Sequence, residues 1–196
     1  MGAKNQAPLD FSCDCGALTG QLNAEALRFG THLECHCKDC RAAHLHFGQA
    51  DPRPGGIQIF QTTPDQITIH TGAENLRILR LGPKGPFRWH SSCCNVPLFN
   101  TLNRPGLPFA ALIADRLKDK SRLGRIRAKS FLPSAPGKSP RHEGAFFMIT
   151  RFIFQMARAR LTGSWKKTPF FDVETGYPVV KPEVLDRATR EALKSA

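Results

Sequence analysis

The chain of 196 residues carries 41% hydrophobic and 22% charged side chains, a balance that supports a packed core and excludes wholesale disorder. No apolar run approaches the ~18 residues of a spanning helix, and the segment Met1–Asp10 lacks a signal-peptide pattern, so a cytoplasmic protein is expected. Two features depart from the average: seven cysteines and a net charge of +12.

In chain order, Cys13-Asp14-Cys15-Gly16 comes first, then an expected strand over 17–22. Cys35-His36-Cys37-Lys38-Asp39-Cys40 follows. An odd number of cysteines cannot form a closed disulfide set. Steps of two and three residues let a tight turn aim several sulfurs at one cation, and a following Gly lets the backbone fold around them. Soft thiolates select zinc; iron–sulfur clusters are the rival, but no familiar ferredoxin spacing is present. Reduced, buried cysteine is the plainer reading, and it suits five thiols in polar turns poorly. His36 reads as a filler of the motif or a donor to substrate. Arg41 reads as a surface residue or a holder of a thiolate or carboxylate. His44 and His46 are lesser metal candidates.

Alternating, β-branched segments at 56–60, 66–70 and 75–80 read as strands, as does 97–100 after the vicinal pair Cys93-Cys94. That pair could also carry a redox role. The breaker cluster Arg104-Pro105-Gly106-Leu107-Pro108 suggests the edge of a first domain, 10–105, with a basic C-terminal extension over 106–196. Within the extension a short helix is expected at 109–117, a low-structure stretch at 130–140, and a stronger helix at 145–161. The last is apolar all round except for a stripe of Arg151, Gln155, Arg158 and Thr162, which suits a core helix, a partner-docking helix or one lying on a membrane surface. A hairpin-like loop at 168–179 and a charged helix at 182–194 close the chain.

The cysteine segments resemble those of the glutathione-dependent formaldehyde-activating enzyme and centromere protein V family. The matching pieces are Cys13-Asp14-Cys15-Gly16, Cys35-His36-Cys37-Lys38-Asp39-Cys40-Arg41, and a degraded third motif, Arg88-Trp89-His90-Ser91-Ser92-Cys93-Cys94-Asn95-Val96-Pro97-Leu98. The resemblance covers residues 10–103. It implies a mainly β fold: a small zinc-stapled antiparallel β domain of β-tent, Mss4-like type, followed here by the α-containing basic extension. It also implies a structural zinc on Cys13, Cys15 and Cys94, with Ser91 at the fourth position; a neutral hydroxyl is a poor zinc ligand, so Cys93, ahead of His90, is the expected substitute. Asn95, where the family motif has Gly, suits a turn of positive φ. A second zinc on Cys35, Cys37 and Cys40 would leave one position open for a small thiol such as glutathione, making these the catalytic residues of a carbon–sulfur lyase. The centromere protein V branch offers the other precedent, a non-catalytic zinc module.

All of the net charge lies in residues 116–167, where fourteen basic side chains face only Asp119 and Glu143. Such a block attracts an anionic membrane surface or an acidic partner. Aromatic interleaving is missing from its densest run, 116–129, so nucleic acid is the less favoured partner.

Overall fold

The computed structural model describes residues 7–135 and 137–195. In chain order the first half forms β1 (Leu9–Ser12), β2 (Thr19–Leu22), α1 (Ala24–Phe29), β3 (Thr31–Cys35), α2 (Lys38–His46), β4 (Ile57–Thr62), β5 (Ile67–Thr71) and β6 (Leu76–Arg80). The second half forms β7 (Phe87–Ser91), β8 (Val96–Thr101), β9 (Ala110–Ile113), β10 (Ala128–Leu132), β11 (Arg141–Glu143), α3 (Ala145–Leu161), β12 (Pro182–Val184) and α4 (Arg187–Ser195). β5 and β6 alternate, burying Ile67, Leu76 and Ile78 and exposing Thr68, His70 and Arg77, whereas β8 is buried along its whole length.

β1, β2 and β5 make a three-stranded antiparallel sheet. The other strands join one nine-stranded sheet in the order β11-β10-β3-β4-β9-β8-β7-β6-β12. Its pairings are antiparallel except β10 with β3 and β12 with β6, which are parallel. The architecture is therefore mixed α/β around a large mixed sheet, broader than the small antiparallel β domain expected from the cysteine motifs. The reason lies beyond residue 105. β9 sits between β4 and β8, and β10 and β12 extend the sheet on either side, so the breaker cluster at 104–108 is a loop within one sheet.

The segment 109–117, expected to be helical, is strand β9 followed by a 3-10 turn at Ala114–Arg116. Ala110 and Leu112 enter one core while Ala111 and Ile113 enter another, and none is more than 5% exposed. A strand buried on both faces has no polar alternation to betray it.

The principal core joins both sheets. Phe11 and Leu22 meet Ile78, Leu98, Phe99 and Leu112, with Trp89 fully buried among them. The 168–179 segment forms the expected hairpin-like turn, bridged at Phe171 and Pro178. It drives Phe170 and Phe171 against Trp89 and Phe87, with ring centroids 4.9 Å apart for Trp89–Phe170 and 6.0 Å for Phe87–Phe171. A second core of Leu33, Ile57, Ile59, Ala111, Ile113 and Ala128 is joined by Met148 of α3. A third packs Ala42, Ala43 and Phe47 against Leu79 and Leu81, closed by Leu185 and Leu193. The expected helix at 182–194 is thus split: its first residues pair with β6 as β12, and α4 starts at Arg187.

α3 spans the expected residues. Its polar stripe faces α1: Gln155 is 6% exposed, Arg158 pairs with Glu25, and the Arg151 guanidinium donates to the Arg28 carbonyl at 2.6 Å. Among the described residues no helix is long and apolar enough to cross a membrane.

Candidate metal centres

The first cluster is built by two turns. After β1 the chain folds back so tightly that the Cys13 amide donates to the Leu18 carbonyl at 3.0 Å, and Gly16 takes φ +76° to allow it. The turn between β7 and β8 carries Cys93 and Cys94, with Asn95 at φ +52°, the left-handed conformation that Asn tolerates. Together these turns place Cys13, Cys15, Cys93 and Cys94 with all sulfurs within 4.8 Å of one another. Individual separations are 3.5 Å for Cys13–Cys15, 3.2 Å for Cys15–Cys93, 3.7 Å for Cys13–Cys93 and 3.9 Å for Cys93–Cys94. A tetrahedral zinc with bonds of ~2.3 Å to sulfur sets its ligands about 3.8 Å apart, so this donor set fits such an ion.

Of the three residues considered for the fourth position, the structure sets Cys93 in the cluster. Ser91 is buried with its hydroxyl 3.2 Å from the Cys94 sulfur, and His90 lies against Phe47, ring centroids 4.6 Å apart. Burial raises the Cys94 thiol, but hydrogen bonds with Ser91, Cys15 and Cys13 outweigh it and hold the group at about 7. Cys93 is pushed up to about 12, chiefly by its hydrogen bond with Cys15.

The second cluster is built by a strand running into a helix. Cys35 ends β3, Cys37 is the N-cap of α2, and Cys40 lies in the helix's first turn. The Cys37 sulfur accepts from the Cys40 amide at 3.2 Å. All three sulfurs lie within 4.8 Å of one another. Orphan N–H groups at the start of α2 favour thiolate there. Gly56 closes in behind: a Cβ on it would stand 2.8 Å from the Cys35 carbonyl oxygen. Its amide donates to Glu34 at 2.8 Å, and Glu34 also meets Lys129 and His36, each at 3.3 Å.

A residue not singled out from the sequence completes this site. Arg88 of β7, 7% exposed, donates to Asn100 Oδ1 at 3.0 Å and to the Cys40 sulfur at 3.5 Å. Hydrogen bonds from Cys35 and Cys37, together with the Arg88 cation, hold the Cys40 thiol well below its ordinary range despite burial. The Cys35 thiol is correspondingly pushed up by its bonds with Cys37 and Cys40. A signal for Arg88 did exist. It opens the third motif, next to Trp89, and period two turns the pair to opposite faces of β7.

Three clefts border the three-thiol site. One of about 510 Å³ is lined by Cys35, His36, Lys38 and Arg41, and one of about 520 Å³ by His36, Cys37, Lys38 and Phe131. A third, of about 320 Å³, reaches Arg88 beside Asp39, Arg190 and Lys194. Arg41 holds Asp51 in a two-pronged ion pair, with bonds of 2.8 and 2.6 Å, and does not touch a sulfur. His44 lines a separate cleft with Asp115 and Arg116, and the His46 ring meets Phe47 edge-on; neither joins a cysteine cluster. The four-sulfur and three-sulfur groups are donor sets for a metal such as zinc.

Residues 5–183 match the profile of a family described as a family of unknown function, DUF6151. No curated protein matches the chain. A crystal structure of a Rhodobacter sphaeroides protein is similar at 18% identity and a TM-score of 0.42, covering 62% of this chain and 98% of that one.

Proposed function

The chain belongs to the DUF6151 family, and from its two sulfur clusters we propose that it is a two-zinc protein of β-tent, Mss4-like descent whose three-thiol site acts on a small thiol. The carrying observation is the asymmetry of the clusters. Four cysteines join two turns into a closed donor set; three converge beside open clefts and leave one tetrahedral position without a protein sulfur.

Cys35, Cys37 and Cys40 would hold the zinc, which when bound would supply a Lewis acid to lower the pKa of a thiol such as glutathione. The chain's own groups prepare that site. Cys37 and Cys40 sit at the positive end of α2, and Arg88 balances the negative charge at Cys40 from the buried side. Lys38 lines both larger clefts, where its ammonium suits a substrate carboxylate. The reaction in this reading is that of a carbon–sulfur lyase. Thiol sulfur adds to the carbon of formaldehyde and the thiol proton goes to oxygen, giving an S-hydroxymethyl adduct, or the reverse. This chemistry is carried by the resemblance of the cysteine motifs to the formaldehyde-activating family.

Metal content per chain tests it, alongside NMR of glutathione and formaldehyde with the protein. Two zinc ions are expected, falling to one in Cys37→Ala, with adduct exchange faster than background only in the native chain. One ion in both proteins, or background exchange in both, overturns the reading.

A further inference from the structure

We propose that the outer face of α3 docks on an anionic lipid bilayer. An amphipathic helix of a folded domain ordinarily buries its apolar side. Here the polar stripe is used inside, on α1; Met148 and Phe152 also pack inward, and the rest of the apolar side is left in solvent. Phe146 is 83% exposed, Ile153 59% and Leu161 88%, with Ile149 and Phe154 about half exposed between them. Their spacing puts them along one ridge four turns long. Such a ridge costs stability in water and marks a contact.

Charge selects what it contacts. Between residues 144 and 171 there are five basic side chains and no acidic one, and with Arg158 paired to Glu25 four cations remain. Arg127 and Arg151 lie by the Phe147 ring near the start of the helix. Past its end Trp165 is flanked by Arg160 at 4.8 Å and Lys166 at 5.9 Å from the ring centroid. Among the described residues no carboxylate pairs with Arg127, Arg160, Lys166 or Lys167. A helix of bulky apolar side chains with cations at its margins and a Trp near one end is built for the headgroup boundary. A second copy of this chain would bring one +12 protein against another. The ridge is convex, and fluid lipid accommodates it without the preformed groove that an acidic protein would have to supply.

The full chain carries its own reporter. Of its two tryptophans, Trp89 is fully buried and Trp165 half-buried. Co-sedimentation with vesicles of phosphatidylcholine alone, or with about 30% phosphatidylserine, is read with tryptophan emission. Binding to the anionic vesicles is expected, with a blue shift that Trp165→Phe abolishes. Raising salt from about 0.05 to about 0.5 M should weaken it at least tenfold. Phe146→Glu with Ile153→Glu changes only exposed side chains; it should weaken binding about tenfold or more and leave thermal unfolding unchanged. Absence of binding to anionic vesicles overturns the proposal. Undiminished binding by the double variant also overturns it, leaving a general attraction to polyanions. So does a dimer of the native chain that the double variant dissociates while neither protein binds vesicles.

Discussion

Arg88→Met probes how the three-thiol site is supported from below. The native guanidinium is 7% exposed and donates to Asn100 at 3.0 Å and to Cys40 at 3.5 Å. Hydrogen bonds involving a charged group contribute about 1.5–3 kcal/mol each, with the long sulfur contact at the low end of that range. Methionine fills much of the stem's volume and removes a buried cation, which offsets part of the loss. The net expectation is about 3 kcal/mol of destabilisation, or roughly 6–12 °C in Tm for a chain of this size. Arg88→Lys retains the charge but not the fork, and should recover about half. Thermal and denaturant unfolding, with metal content measured on the same samples, separate lost stability from lost metal. Arg88→Met within about 0.5 kcal/mol of the native protein, with metal unchanged, would refute the argument that this cation balances the site.

His90→Ala should retain the metal of the four-thiol site and Cys93→Ser should lose it, because only Cys93 has its donor in the cluster; metal analysis of both variants decides. Gly56→Ala drives a Cβ to 2.8 Å from the Cys35 backbone and should cost about 1–3 kcal/mol, read by denaturant midpoint. Phe170→Ala removes a fully buried ring 4.9 Å from Trp89 and should cost about 3–5 kcal/mol; a cost under 1 would mean the 168–179 turn is not part of the core. Asp186 accepts from the Thr189 hydroxyl and amide, at 2.6 and 2.9 Å, which holds its carboxyl below the ordinary 3.8. Its support for the start of α4 is therefore complete above 3.8 and lost as pH falls through the lower folded value. The protection of the Thr189 amide, its exchange rate relative to an unstructured amide at the same pH, should fall over that window in the native chain, and Asp186→Asn should remove that fall.

Local chemistry determined much of this protein by itself. The C-x-C and C-H-C-x-x-C spacings already grouped five thiols, since ligand geometry is set over a few bonds. Period-two segments marked β4, β5, β6 and β8, and the apolar run with its stripe marked α3 to the residue. Asn95 announced a turn of positive φ, because few other side chains tolerate one.

What only the tertiary structure decided depends on partners distant in sequence. The resemblance already set Cys13 and Cys15 with Cys94, but no local spacing encodes that meeting, which the converging β1–β2 and β7–β8 turns produce, and it is there that Cys93 takes the fourth place. β9 looked helical because being buried on both faces erases alternation. Arg88 gained its role from Cys40, 48 residues earlier. The direction in which α3 faces was likewise undecidable from its own residues. Periodicity defines two sides of a helix, but which side turns inward is settled by what waits there. Here Glu25 and the Arg28 carbonyl accept from Arg158 and Arg151, and so the polar side went in.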